Sequence, residues 1–350
     1  MASSSLVRIA VVGDIHDDWD LEEDTKALQF LKVPLSSVSI DPMCAVSIRL
    51  WSLPSNLLPA PIGDFDNEND KLVQNVAVLK LPKAVILGNH DSWSTQQFSS
   101  NFVLDNLMIS NPGHLLMIRK KDRVQLQLEC LGQEHVGYKR LDFPLLKLSG
   151  VGGRPFSCGG QQLFRKKLLS ARYGIQEMDE SAKRIYEAAL GTPEDHLVIL
   201  LAHNGPTGLG NELNDICGKD WVFEGGDHGD PDLAQAISLL KQTATFSIPL
   251  VVFGHMHREL AHGNGLRKMI VVGTDDIIYL NGAIVPRVRP INETSLQASN
   301  SNGTNRAFTL VEISNGQVDK ISESWVSVLG NETTLEEEHI LFESNRQSSL

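Results

Sequence analysis

Five short blocks of the sequence carry side chains that bind hard or borderline metal ions: Asp14-Ile15-His16, Gly63-Asp64-Phe65-Asp66-Asn67-Glu68, Asn89-His90-Asp91, His203-Asn204 and His255-Met256-His257. Mixed oxygen and imidazole donors suit Mn, Fe, Zn or Mg rather than a thiolate-bound metal. Cys44, Cys130, Cys158 and Cys217 include no C-x-x-C pair, so neither a zinc knuckle nor a thioredoxin-type redox motif is supported. Any one of these histidines alone reads as a structural residue. Five of the chain's eleven standing in such blocks read instead as a metal site.

Four of the blocks stand at the ends of apolar runs, which shows how they are positioned: Leu6 to Val12 before Gly13, Ala84 to Leu87 before Gly88, Leu197 to Ala202 before His203, and Leu250 to Phe253 before Gly254. Continuous apolar runs of this length are the pattern of strands buried on both faces. Amphipathic spacing predicts helices at Leu21 to Lys32, at Gln161 to Leu190 with a break near Tyr173-Gly174, and at Pro231 to Lys241. The fold class is therefore α/β, and ligands from separate strands converge at the C-terminal edge of the sheet, where open α/β folds place their sites. Further strands are predicted at Gln125 to Leu131 and Leu145 to Val151. A hairpin around Asn315-Gly316 is predicted to join Ala307 to Ile313 with Gln317 to Val328.

Two segments stand apart. Residues 33–61 hold Pro34, Pro42, Pro54, Pro59 and Pro61, and proline cannot donate to a β-ladder, so a central strand just before Asp64 is not expected. We read 33–61 as an atypical proline-rich insertion in one domain spanning 1–330. Residues 331–350, mostly polar and containing Glu336-Glu337-Glu338, read as a mobile C-terminal tail.

The 350 residues carry 31 basic and 43 acidic side chains, a net charge of −12, which argues against a surface built for nucleic-acid phosphates or anionic lipid. The longest apolar runs fall far short of the ~20 residues of a membrane span. Scattered cysteines and the absence of a leader pattern at Met1 to Ser5 point to a cytoplasmic protein; plastid residence would need a longer N-terminus.

Taken in order, the blocks are D-x-H, G-D, G-N-H-D, a lone His and G-H-x-H. Over about Leu6 to Asp275 this resembles the calcineurin-like metallophosphoesterase superfamily, and the phrases Asp14 to Trp19 and Ala202 to Gly210 are most similar to a branch found in plants and cyanobacteria. The resemblance implies a four-layer αββα sandwich, two mixed β-sheets flanked by helices. It also implies a binuclear metal centre, with Asp14, His16, Asp64 and His257 on one divalent ion and Asp64 bridging to a second ion held by Asn89, His203 and His255. The implied activity is that of a phosphoric ester hydrolase, a phosphatase or diesterase in which a bridging water or hydroxide attacks phosphorus. His90 would face the substrate, and Asp91 would fix its tautomer.

Arg154, His228 and Arg258 are the candidate substrate-binding residues, and Gly205 to Gly210 is either a loop that approaches a phosphate or a turn into the next helix. His114, His135, His196, His262 and His339 read as surface or loop residues. Many relatives carry a second Asp three residues after the bridging one; here that position is Asn67. The leading reading is an enzyme acting on a phosphorylated small molecule or phosphoprotein. The alternative is a catalytically weak or inactive binding or scaffold protein, its Asp64 displaced by the proline-rich segment. A metal-dependent hydrolase of another bond, such as an amide, has no nucleophile-and-base constellation in its support.

Overall fold

The first strand, β1 (Val7–Gly13), is buried along its whole length, because each of its faces meets a different layer. Val7, Ile9 and Val11 pack in one core cluster, and Ala10 and Val12 in another. The computed structural model describes residues 6–16, 18–32, 57–65, 67–95, 122–291 and 303–344. After β1 come α1 (Leu21–Leu31), β2 (Leu57–Ile62), α2 (Asp70–Ala77), α3 (Arg123–Leu131), β3 (Arg140–Phe143), β4 (Leu148–Gly152), α4 (Lys166–Tyr173) and α5 (Met178–Ala189). The chain continues through β5 (Leu197–Leu201), α6 (Pro231–Thr243), β6 (Leu250–Phe253), β7 (Ile270–Val272), β8 (Ile278–Asn281), β9 (Val288–Pro290), β10 (Thr304–Ser314), β11 (Gln317–Leu329) and β12 (Glu332–Glu343).

These strands form two mixed sheets. One runs β12-β11-β10-β1-β2, with β9 also pairing with β10; the other runs β3-β4-β5-β6-β8-β7. A core cluster drawn from both sheets, including Ile9, Val11, Ile62, Ile199, Val252, Leu280, Val311 and Ile321, fills the space between them. Leu28, Leu31, Leu72 and Val76 of α1 and α2 cluster with Ala10 and Val12 on the first sheet, while Leu233, Ile237 and Leu240 of α6 cluster with Val198, Leu200 and Val251 on the second. Helices thus flank two stacked sheets, the sandwich that the sequence implied. No helix among the described residues is long and apolar enough to cross a membrane.

The strand before Asp64 exists despite its prolines. β2 runs parallel to β1, with Leu57 opposite Arg8 and Ile62 opposite Gly13. Along a strand the backbone polar groups alternate sides, and the carbonyl of Ile62 accepts from Asp14 N at 3.0 Å on the β1 side while that of Pro61 accepts from Ile86 N at 3.3 Å on the other. Pro59 and Pro61 therefore present their missing N–H away from β1, at the end of the sheet path, where no ladder bond is lost. The reading of 33–61 as an insertion is corrected at its C-terminal end, where residues 57–62 form β2; residues 33–56 lie outside the described residues.

Two other segments differ from expectation. Gln125 to Leu131 is helical within α3, whose N-cap Asp122 accepts from Gln125 N at 3.1 Å. Val124, Gln127 and Leu131 are its buried face, so the alternation of Val124, Leu126 and Leu128 was a period-2 accident on a period-3.6 element. The expected mobile tail forms β12 through residue 343, paired with β11 from Leu329↔Glu332 to Lys320↔Glu343. Its side chains are mostly exposed and include five glutamates, as suits an edge strand that must not pair further, and that composition also resembles a tail. The predicted hairpin is present, with Ser314 opposite Gln317 across Asn315 and Gly316.

Candidate metal centre

All the ligand-type residues follow the C-terminal ends of parallel strands. Asp14 and His16 follow β1, Asp64 follows β2, His203 follows β5, and His255 and His257 follow β6. Asn89 and His90 follow the short bridge in which Ile86 pairs in parallel with Ile62. The two sheets meet here: His255 N, after β6, donates to Asp14 Oδ1 at 3.0 Å, and Gly13 N of β1 donates to the carbonyl of Gly282, after β8, at 3.2 Å. Asp14, His16, Asp64 and His255 all have positive φ, between 41° and 67°. Non-glycine residues in this region carry strain, and such strain clusters where a site needs a particular side-chain direction.

Two groups of donors result, each with its ligand atoms within 4.8 Å of one another: Asp14, His16 and His257, and Asp64, His203 and His255. In the first, His16 Nε2 and His257 Nε2 are 3.1 Å apart, and His257 Nε2 is 3.5 Å from Asp14 Oδ2. In the second, His203 Nε2 is 2.8 Å from Asn89 Oδ1 and 3.5 Å from Asp64 Oδ1. The glycines of the motifs make room for these atoms. A Cβ on Gly88 would lie 2.4 Å from Asp64 Oδ1 and from His203 Cε1, and one on Gly254 would lie 2.7 Å from Asp14 Oδ1.

The electrostatics is that of a crowded, largely buried site. Burial, followed by the neighbouring Asp64 carboxylate, pushes Asp14 up to about 7. Burial also acts upward on Asp64, but the charge and hydrogen bond of His203 outweigh it and hold Asp64 well below the usual carboxylate range. His203, despite burial, is pulled up to about 9 by Asp64. Burial and then His203 hold His255 well below its ordinary value, and burial and then His16 push His257 down to about 4.

The loops that carry these residues brace one another. The Asp91 carboxylate is fully buried and accepts from Asp64 N at 3.0 Å, Phe65 N at 3.0 Å and Gly88 N at 2.7 Å. In return Asp64 Oδ1 accepts from His90 N at 2.9 Å. Gln127 of α3 donates to Asp91 O at 2.8 Å, and Glu68 Oε1 accepts from Ser94 N at 2.9 Å.

A model of the calcineurin-like phosphoesterase family matches residues 7–259. The chain belongs to the calcineurin-like phosphoesterases. No curated protein matches it.

Divalent ions, which this family typically binds, fit the donor set of this calcineurin-like phosphoesterase. Asp14 Oδ2 is buried and has no hydrogen-bond partner among the described residues, although it stands beside an imidazole nitrogen. Two ring nitrogens 3.1 Å apart stand beside this buried carboxylate oxygen, and a cation among them satisfies all three.

Asp91 does not serve His90 as expected. Its carboxylate is occupied by three backbone N–H groups, and it is Asn67 Oδ1 that lies 3.0 Å from His90 Nδ1. Asn67 was legible only as a departure in residue type, an Asn where many relatives carry an Asp three residues after the bridging one. Trp93, which the sequence reading passed over, stacks on the His90 ring at 4.8 Å and 14°.

Arg154 is not a substrate clamp. It is 1% exposed, with Nη2 2.7 Å from Asp230 Oδ1 and Nε 2.9 Å from Asp232 Oδ2, a buried pair that ties the end of β4 to α6. Arg258 is likewise committed, with Nη1 3.0 Å from Glu323 Oε1 on β11. His228 does reach the site, its ring stacked on His255 at 5.9 Å. In the Gly205 to Gly210 loop the N–H groups of Thr207 and Gly208 are directed to Asp230 O and Asp227 Oδ2, which favours the turn over a phosphate cradle. His135 and His196 are buried rather than superficial, His196 Nδ1 lying 2.9 Å from Ser149 Oγ; His114 lies outside the described residues.

Proposed function

We propose that the chain hydrolyses a phosphate monoester or diester with water at a binuclear metal site. The reading rests on the two adjoining ligand groups, Asp14, His16 and His257 beside Asp64, His203 and His255, with Asp14 Oδ2 buried and lacking a hydrogen-bond partner among the described residues. Asp14, His16 and His257 would hold one ion and Asn89, His203 and His255 the other, with Asp64 shared between them. Two divalent ions supply an activated water and neutralise charge on the phosphoryl oxygens.

The chain's own residues do the rest. His90, held at Nδ1 by Asn67 and on one face by Trp93, keeps Nε2 free to hold or deliver a proton at the leaving oxygen. Asp91 acts on Asp64 through the backbone and keeps the carboxylate where both groups use it. The motive for an inactive scaffold was a displaced Asp64; its Oδ1 stands 3.5 Å from His203 Nε2, which supports catalysis instead.

A net charge of −12 favours a phosphorylated small molecule or phosphoprotein over long nucleic acid. Cys130, Cys158 and Cys217 are free thiols, which suits a reducing, cytoplasmic setting. The test is hydrolysis of 4-nitrophenyl phosphate and bis(4-nitrophenyl) phosphate with added Mn²⁺. Mn²⁺-dependent release from either ester is expected, and its absence from both would overturn the reading.

A further inference from the structure

The ligand groups are bordered by aromatic rings that the proposed chemistry does not use. On the side of the first group, the His16 ring lies edge-on to His90 at 5.5 Å and His90 stacks on Trp93, which is 45% exposed. Phe164 lies 6.0 Å beyond Trp93, and Arg165 covers the Phe164 ring at 4.6 Å. On the side of the second group, His255 stacks on His228, and His228 meets Trp221 edge-on at 4.8 Å. Trp221 is 51% exposed and the neighbouring Phe223 98% exposed. With Val222, 41% exposed, these residues leave a continuous apolar stretch of chain beside the second ligand group, and an exposed indole face is a surface on which a planar ring stacks.

The arginines near the site point the same way. Arg154 and Arg258 are each committed to carboxylates, so recognition beyond the phosphate does not fall to a guanidinium fork. A polyphosphate would also meet a chain of net charge −12. We propose that Trp221, beside His228 and His255 at the second ligand group, forms a stacking subsite that selects singly phosphorylated esters whose organic part carries a planar aromatic ring, as a nucleoside monophosphate does. This inference rests on the phosphoesterase reading and adds the substrate class to it.

Adenosine 5′-monophosphate and ribose 5-phosphate share the same primary alkoxide leaving group, and the ring is what separates them. With Mn²⁺ the nucleotide is expected to be hydrolysed with a kcat/KM about tenfold higher, the size of one base–aromatic stack. Trp221→Ala should bring that ratio close to one. A second readout needs no turnover: the nucleotide should quench the tryptophan fluorescence of metal-free protein, ribose 5-phosphate should not, and Trp221→Ala should weaken the quench. Equal hydrolysis of both esters without selective quench would overturn the subsite, leave the phosphoesterase reading standing, and assign the exposed Trp221 and Phe223 to a macromolecular partner. Selective quench with no hydrolysis of any phosphate ester would overturn the phosphoesterase reading and retain the ring subsite.

Discussion

Replacing Asp91 by asparagine tests whether this residue builds the site through the backbone. Its Oδ2 takes two N–H groups, from Asp64 and Gly88, and its Oδ1 takes a third, from Phe65. Burial and then the Asp64 charge raise this carboxyl well above its usual range, while the N–H groups of Gly88 and Phe65 oppose the shift. Asparagine can place its oxygen at the Oδ2 position and keep two of the bonds, but its NH₂ then faces the Phe65 N–H. One buried donor is left without an acceptor, at about 1–3 kcal/mol, and the two retained bonds lose their charge assistance, about 1 kcal/mol more. Asp91→Asn should therefore cost about 2–4 kcal/mol in urea unfolding. Because the lost bond anchors the turn that carries Asp64, Mn²⁺ affinity measured by calorimetry should fall about 10–100-fold. Asp91→Ala, lacking all three acceptors, should be worse on both counts. An asparagine variant within about 0.5 kcal/mol of wild type, with unchanged Mn²⁺ affinity, would refute the reasoning.

His90→Ala should lower kcat by about 10²–10⁴-fold while metal content, measured by elemental analysis, stays at the wild-type level; parallel loss of metal would make His90 a ligand instead. His135 offers a pH test away from the centre. Burial, with smaller effects from Lys139 and Arg172, pushes this histidine down to about 3. A histidine depressed in the folded state is protonated first in the unfolded chain, so its contribution is complete above about pH 6.5 and is lost as pH falls from there towards 3. The slope is about 1.4 kcal/mol per pH unit, and His135→Phe should remove it, seen as wild type losing about 2 kcal/mol more than the variant between pH 6.5 and pH 4.5 in chelator-treated urea titrations. A difference between the two proteins that does not change over that range would contradict the assignment.

The candidate metal ligands were legible because their signal is local. A glycine, a ligand-type residue and a preceding apolar run sit within a few positions of one another, and the structure explains the glycines by atoms crowded at Gly88 and Gly254. What escaped the sequence depends on long-range pairing. Arg154 looks like a clamp until Asp230 and Asp232, far along the chain, are seen to surround it. The prolines of β2 argue against a strand until one knows which side of the ladder they face. The acidic run Glu336 to Glu338 reads as tail composition, and only pairing with β11 makes it an edge strand. The roles of Asn67 and Trp93 escaped for the same reason, since each is set by where the His90 ring lies.

The central claim is that two ions share Asp64, and metal content per chain tests it most directly. After loading with Mn²⁺ and removal of free metal, elemental analysis should find two ions per chain in the wild type, and Asp64→Ala should lose both together, because one carboxylate serves the two groups. One ion or fewer in the wild type, or two retained in Asp64→Ala, would contradict the account.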